Sequence, residues 1–275
     1  MSQRWTLDTI PWDRFDAAKA TPDMQAIIRA AAMVEANSAD YVTYLHNVFP
    51  DDEAFQADAG VWGREEYQHG QALGRWAELA DPAFSFEQSL DWFRKGFSLP
   101  LDAERSVRGS RTGELIARCV VESGTSSFYS AIRDATDEPV LKEICRRIAI
   151  DEFFHYQLFK KHLKRYETRD KLNRLQRLKV AMDRVREAED DELAYAWFAA
   201  NIKPSDPDAD YDMQACAQAY WIRAMRLYKQ QHIDNAARMI LRAAAFNPDG
   251  RMADLVARAS WGLLSWRRAR LNRAA

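Results

Sequence analysis

Apolar residues recur every three to four positions through most of the chain. From Thr21 to Phe49 the stripe reads Ile27/Ile28, Ala31, Val34, Ser38, Val42, Leu45, the period of one helix face. Thr21-Pro22 supplies an N-cap and a first-turn proline, and Pro50-Asp51 ends the run. A second helix is expected from about Asp52 to Ala80, because the residue before Pro82 leaves the α region. Residues 81–111 hold two Gly and two Pro and read as a crossover with a short helix near Phe86–Phe93. Helices follow over Thr112–Thr136 (Leu115, Cys119, Glu122, Thr125/Ser126, Tyr129) and from Pro139 to Tyr166 (Ile144, Ile148, Glu152, His155, Phe159). Another is expected over Asp170–Ala200. Asn201–Asp210, with two Pro and four Asp or Ser, reads as a linker to two or three further helices ending at Ala275.

Only 10 Gly and 9 Pro in 275 residues agree with an all-α chain. Helix, helix, long connection, helix, helix is the order of a four-helix bundle with one long crossover, the ferritin-like arrangement. The expected organisation is a bundle over residues 1–200, with core helices over 21–166. A C-terminal helical segment over 211–275 packs on it. A net charge of -2 gives no basic excess for nucleic acid. No apolar run reaches the ~18–20 residues that span a bilayer. Three widely spaced cysteines, Cys119, Cys145 and Cys216, and a leading segment without an apolar centre suggest a cytoplasmic protein.

Five histidines exist, and two stand in Glu-x-x-His: Glu66-Tyr-Gln-His69 and Glu152-Phe-Phe-His155. That spacing puts carboxylate and imidazole on one helix face, a turn apart. The other two core helices each carry one acid in an apolar stripe, Glu35 and Glu122. An ionised carboxylate is costly to bury without a cation. The order Glu, Glu-x-x-His, Glu, Glu-x-x-His is a di-metal carboxylate set, and its hard oxygens and imidazoles suit iron or manganese. His46, His162 and His232 lack such context.

The segment Trp62-Gly-Arg-Glu65-Glu66-Tyr-Gln-His69-Gly70 resembles W-x-x-E-E-x-x-H-G of the soluble acyl-carrier-protein desaturases. Ile148-Ala149-Ile150-Asp151-Glu152-Phe153-Phe154-His155 is similar to their I-A-x-D-E-x-x-H, and Glu122-Ser-Gly-Thr125 to their E-x-x-T. The resemblance implies a di-iron centre held by Glu35, Glu66, His69, Glu122, Glu152 and His155. It further implies Asp151 as the partner that orients an imidazole, and Thr125 as a residue handling oxygen and protons. The implied activity is O2-dependent oxidation of an unactivated C–H bond, as in fatty acyl desaturation. The electron donor would be a ferredoxin or flavodoxin with its reductase, the substrate would arrive on acyl carrier protein, and the enzyme would be a homodimer.

Nine basic residues between Lys160 and Lys179 read as a solvated face or as a dock for such an acidic carrier. Residues 219–250 suggest either a plain helical hairpin or one tetratricopeptide-like pair. The rival functions are a di-iron oxygenase that hydroxylates or N-oxygenates a small molecule, a ferroxidase, and a metal-free helical interaction protein.

Overall fold

The structure is a computed structural model that describes residues 4–187 and 191–274. Residues 188–190, inside the helix expected over 170–200, lie outside the described residues, as do Met1–Gln3 and Ala275. Every regular element among the described residues is helical. The core helices are α1 (Pro22–Ala36), α2 (Ser38–Val48), α3 (Glu53–Ala80), α5 (Arg111–Ala135) and α6 (Pro139–Tyr166), with α4 (Phe86–Gly96) in the crossover.

Their starts follow capping chemistry. The Thr21 hydroxyl accepts from Met24 N, Asp52 from Phe55 N and Ser110 from Gly113 N. Glu138 accepts from both Val140 N and Leu141 N before Pro139 opens α6. Each side chain satisfies backbone N–H groups that lack a helical partner.

α1 and α2 pack in succession along α3, α5 packs along α6, and α3 packs against α6. Two apolar clusters fill the space between them. One gathers Ile28, Leu73, Trp76, Ile132 and Ile148; the other gathers Leu45, Phe55, Trp62, Leu115 and Phe159. On each of α3, α5 and α6 a short polar stretch separates residues of the first cluster from those of the second. On the first helix the same level is Glu35, where α1 ends. A buried polar layer thus crosses the bundle between two dry layers.

Two helices depart from expectation. The run over 21–49 breaks at Asn37, whose N–H turns back to Val34 O (3.1 Å) while the Ser38 hydroxyl donates to Gly63 O (2.7 Å). That tertiary bond fixes where α2 restarts. The helix expected from Asp170 begins later, as α7 (Arg174–Arg186): Asn173 and Gln176 cap it reciprocally, and Asp170 instead accepts from Thr112 N. α8 (Asp191–Trp197) follows, and residues 198–202 wind as a π-helix against α1 and α4.

The last helices are α9 (Met213–Leu227), α10 (Gln230–Ala243) and α11 (Arg251–Ala274). α9 packs on α8 and α1, whereas α10 packs on α5 and α11. No helix among the described residues is long and apolar enough to cross a membrane.

Candidate metal centre

The polar layer holds all six candidate ligands. Glu35 ends α1, Glu66 and His69 lie mid-α3, Glu122 mid-α5, and Glu152 and His155 mid-α6. Each is buried, and both histidines are fully so. Their donor atoms fall into two groups, Glu35–Glu66–His69–Glu152 and Glu66–Glu122–Glu152–His155; within each group the atoms lie within 4.8 Å of one another. Glu66 and Glu152 belong to both.

Both imidazoles present Nδ1 to the carboxylates. His69 Nδ1 is 3.2 Å from Glu66, 3.3 Å from Glu152 and 3.6 Å from Glu35. His155 Nδ1 is 3.0 Å from Glu66, 3.7 Å from Glu152 and 3.8 Å from Glu122. The outer nitrogens are held from the opposite helix. His69 Nε2 donates to Asp151 of α6 (3.1 Å), and His155 Nε2 donates to Glu65 of α3 (2.9 Å). Each supporting acid immediately precedes the Glu of its own helix's motif, so the two motifs brace one another reciprocally. Such a bond fixes a ligating imidazole's tautomer and orientation.

Asp151 therefore touches an imidazole. Glu65, equivalent to it by position, had no role assigned from sequence; its adjacency to Glu66 was the available signal. The leading segment also had none. It lays Trp5 and Arg4 against the outer side of the layer: Trp5 Nε1 donates to Asp151 (2.7 Å), its ring stacks on His69 (5.9 Å, 5°), and Arg4 Nε donates to Asp151 (2.5 Å). Burial raises the Asp151 carboxyl, but His69 and Arg4 outweigh it and hold the group below its ordinary value.

Thr125 lies a turn beyond Glu122. Its hydroxyl is 2.7 Å from Glu152 Oε2 and 3.3 Å from the carbonyls of Val121 and Glu122. The Tyr129 hydroxyl donates to Glu35. The remaining histidines lie elsewhere with partners of their own: His46 with Gln56 O, His162 with Asp58 and His232 with Asp134.

Without metal, the layer's charges divide sharply. Burial, reinforced by neighbouring carboxylates, pushes Glu35 and Glu122 well above their ordinary range. Burial also raises Glu66 and Glu152, but the two imidazoles override it and leave both lowered. Burial lowers His69 and His155, and the surrounding carboxylates overcome that and raise both. Four ionised carboxylates and two neutral imidazoles would balance two divalent cations, so the donor set fits two such ions. Both oxygens of Glu122, Oε1 of Glu152 and Nδ1 of His155 are buried with no hydrogen-bond partner, a state that buried polar atoms rarely occupy without a further ligand.

A cavity of about 350 Å3 abuts the layer on one side, lined by Glu35, Glu66, Glu122, Thr125 and Glu152 and otherwise mainly by apolar and aromatic side chains such as Val121, Phe128, Trp62 and Trp221. This is the size and character of a small-molecule site. Four of the nine basic residues in the 160–179 run are ion-paired within the chain: Lys161 with Asp58, Arg165 with Asp52, Arg177 with Glu167 and Lys179 with Asp183. Comparison with known proteins matched the chain to no family model and to no curated protein.

Proposed function

We propose that the chain is a ferritin-like di-iron oxidase that uses O2 to oxidise an unactivated C–H bond of an organic molecule held in the cavity. The observation that carries this reading is a pair of buried donor groups sharing two carboxylates and opening on one largely apolar cavity. In the proposed centre His69 and Glu35 would hold one ion and His155 and Glu122 the other, with Glu66 and Glu152, members of both donor groups, available to either. Bound there, two ferrous ions would supply the O2 reduction and the oxidising power that amino-acid side chains lack.

The chain's own groups do the rest. Asp151 and Glu65 keep each Nε2 protonated, so each Nδ1 lone pair faces inward. Thr125 holds a proton 2.7 Å from Glu152 Oε2 on the cavity side. The apolar walls favour an organic chain over water beside the reacting region. Desaturation balances as –CH2–CH2– plus O2, two electrons and two protons giving –CH=CH– and two waters. In this reading the electrons come from a ferredoxin or flavodoxin with its reductase, and the motif resemblance favours an acyl chain as substrate. The largely apolar lining of the cavity favours an organic substrate over ferroxidase activity.

The test is anaerobic loading with Fe(II), then chemical reduction and exposure to O2 with the lipids extracted from the source cells. Mass loss of two hydrogens, or gain of one oxygen, in an extracted compound supports the proposal. Oxygen consumption that only oxidises and releases iron refutes it.

A further inference from the structure

One charged group on the cavity wall is idle in the chemistry above. Arg118 lies on α5 one turn before Glu122 and is only 6 % exposed. The face of its guanidinium is covered by the Tyr41 ring at 4.9 Å. Its nearest carboxylate, Glu114 Oε1, is 3.4 Å from Nε, yet Nε has no hydrogen-bond partner. Glu114 is already engaged through its other oxygen, which accepts from the hydroxyls of Tyr44 (2.8 Å) and Ser106 (2.7 Å). A guanidinium carries five N–H donors and no acceptor, and leaving such donors unmet in a buried site is costly.

Arg118 lines the same cavity as Glu122 and Thr125, with Val121 and Phe128 also on that wall. Beyond the metal layer, the charged wall residues among the described ones are Arg118, Arg184 and Glu192. Glu192 Oε2 accepts from the Tyr41 hydroxyl, so the acid and the ring beneath the guanidinium are joined in one bonded unit. The cavity thus joins a buried cation, Arg118, and apolar wall residues to the acidic, metal-facing side chains one turn further along α5.

We infer that Arg118 is the anchor for a substrate carboxylate, and that the substrate is a free carboxylate with an apolar body rather than a thioester on a carrier. A carboxylate meets a guanidinium edge with two parallel N–H···O bonds, which orients the molecule as well as holding it. The apolar body then runs along α5 past Val121 to Glu122 and Thr125, with Phe128 on the wall beyond them. This inference rests on the oxidase reading for what happens at the far end, but binding at Arg118 is separable from it.

The experiment is calorimetric titration of the full chain, loaded with redox-inactive Co(II), with hexadecanoate and with hexadecanol, which has the same body and no charge. The expected result is hexadecanoate binding at least about tenfold more tightly, the scale of hydrogen bonds to a charged group. Arg118→Gln should abolish that preference, and Arg118→Lys should keep part of it. Arg118→Gln leaves Glu114 without its cation, so the double variant Arg118→Gln/Glu114→Gln is measured beside it and should show the same loss in a neutral pair. Equal affinity for the two probes, no binding of either, or a preference that survives in the double variant overturns the inference. Metal is counted on the same samples: a chain that selects hexadecanoate through Arg118 but holds no metal keeps this inference and refutes the oxidase.

Discussion

Gly70 follows His69 and is where α3 comes closest to α1. A Cβ added there would sit 2.7 Å from Ala36 N, 2.8 Å from Ala36 Cβ and 3.0 Å from Ala32 O. Favourable separations are about 3.5–4.0 Å, so Gly70→Ala forces α1 back by close to ~1 Å. Two of the three obstructing atoms are backbone and cannot rotate away. Overpacking of this kind costs about 1–3 kcal/mol, against a gain of about 1 kcal/mol from replacing Gly inside a helix. Rigid backbone on the obstructing side puts the cost in the upper part of that range, about 2–3 kcal/mol, so the clash wins by roughly 1–2 kcal/mol, or a fall of about 2–8 °C in midpoint at 2–4 °C per kcal/mol. The displacement also carries Glu35, the neighbour of Ala36, away from Glu66 and His69. Gly60→Ala on the same helix is the control: its Cβ would meet only Arg64 Nη1, at 3.7 Å, and should stabilise by up to about 1 kcal/mol. Calorimetry of the metal-free proteins measures both, and a metal titration reports the ion held by Glu35 and His69. A Gly70→Ala protein as stable as the parent, with unchanged affinity for both ions, would refute this packing.

Asp151→Asn should weaken the ion beside His69 and Glu65→Gln the ion beside His155, each by about 10–100-fold; competition titrations that find the opposite pairing contradict the reciprocal bracing. Loading the metal-free protein near pH 7 should release protons, since His69, His155, Glu35 and Glu122 are all raised in pKa; affinity should therefore rise with pH, and an indicator dye that records no release refutes protonation of this layer. Thr125→Val keeps the side-chain shape and removes the hydroxyl that faces Glu152, so metal content should hold while product per O2 consumed falls; an unchanged ratio assigns the hydroxyl to helix packing alone.

The helix starts were legible because they depend on neighbours in sequence: Thr21-Pro22, Asp52 and Pro139 each announce a cap. The six side chains of the two donor groups were legible for a related reason, as acids and imidazoles at helical spacing inside apolar stripes point to one shared face. What stayed hidden depends on tertiary partners. The break at Asn37 is set by Ser38 bonding to Gly63 on another helix. Glu65 acts on His155 across the bundle, and its place beside Glu66 does not say which side chain it meets. Trp5 and Arg4 reach Asp151 from 146 and 147 residues away. Arg118 reads as one more helix charge until the cavity shows what it faces.

Anomalous diffraction from crystals of the iron-loaded protein tests the proposed centre most directly. The prediction is two iron peaks in the layer between the two apolar clusters, one ligated by His69 Nδ1 and Glu35, the other by His155 Nδ1 and Glu122, with Glu66 and Glu152 reaching both. A single peak, a zinc edge in place of iron, or metal bound only outside these six side chains would contradict it.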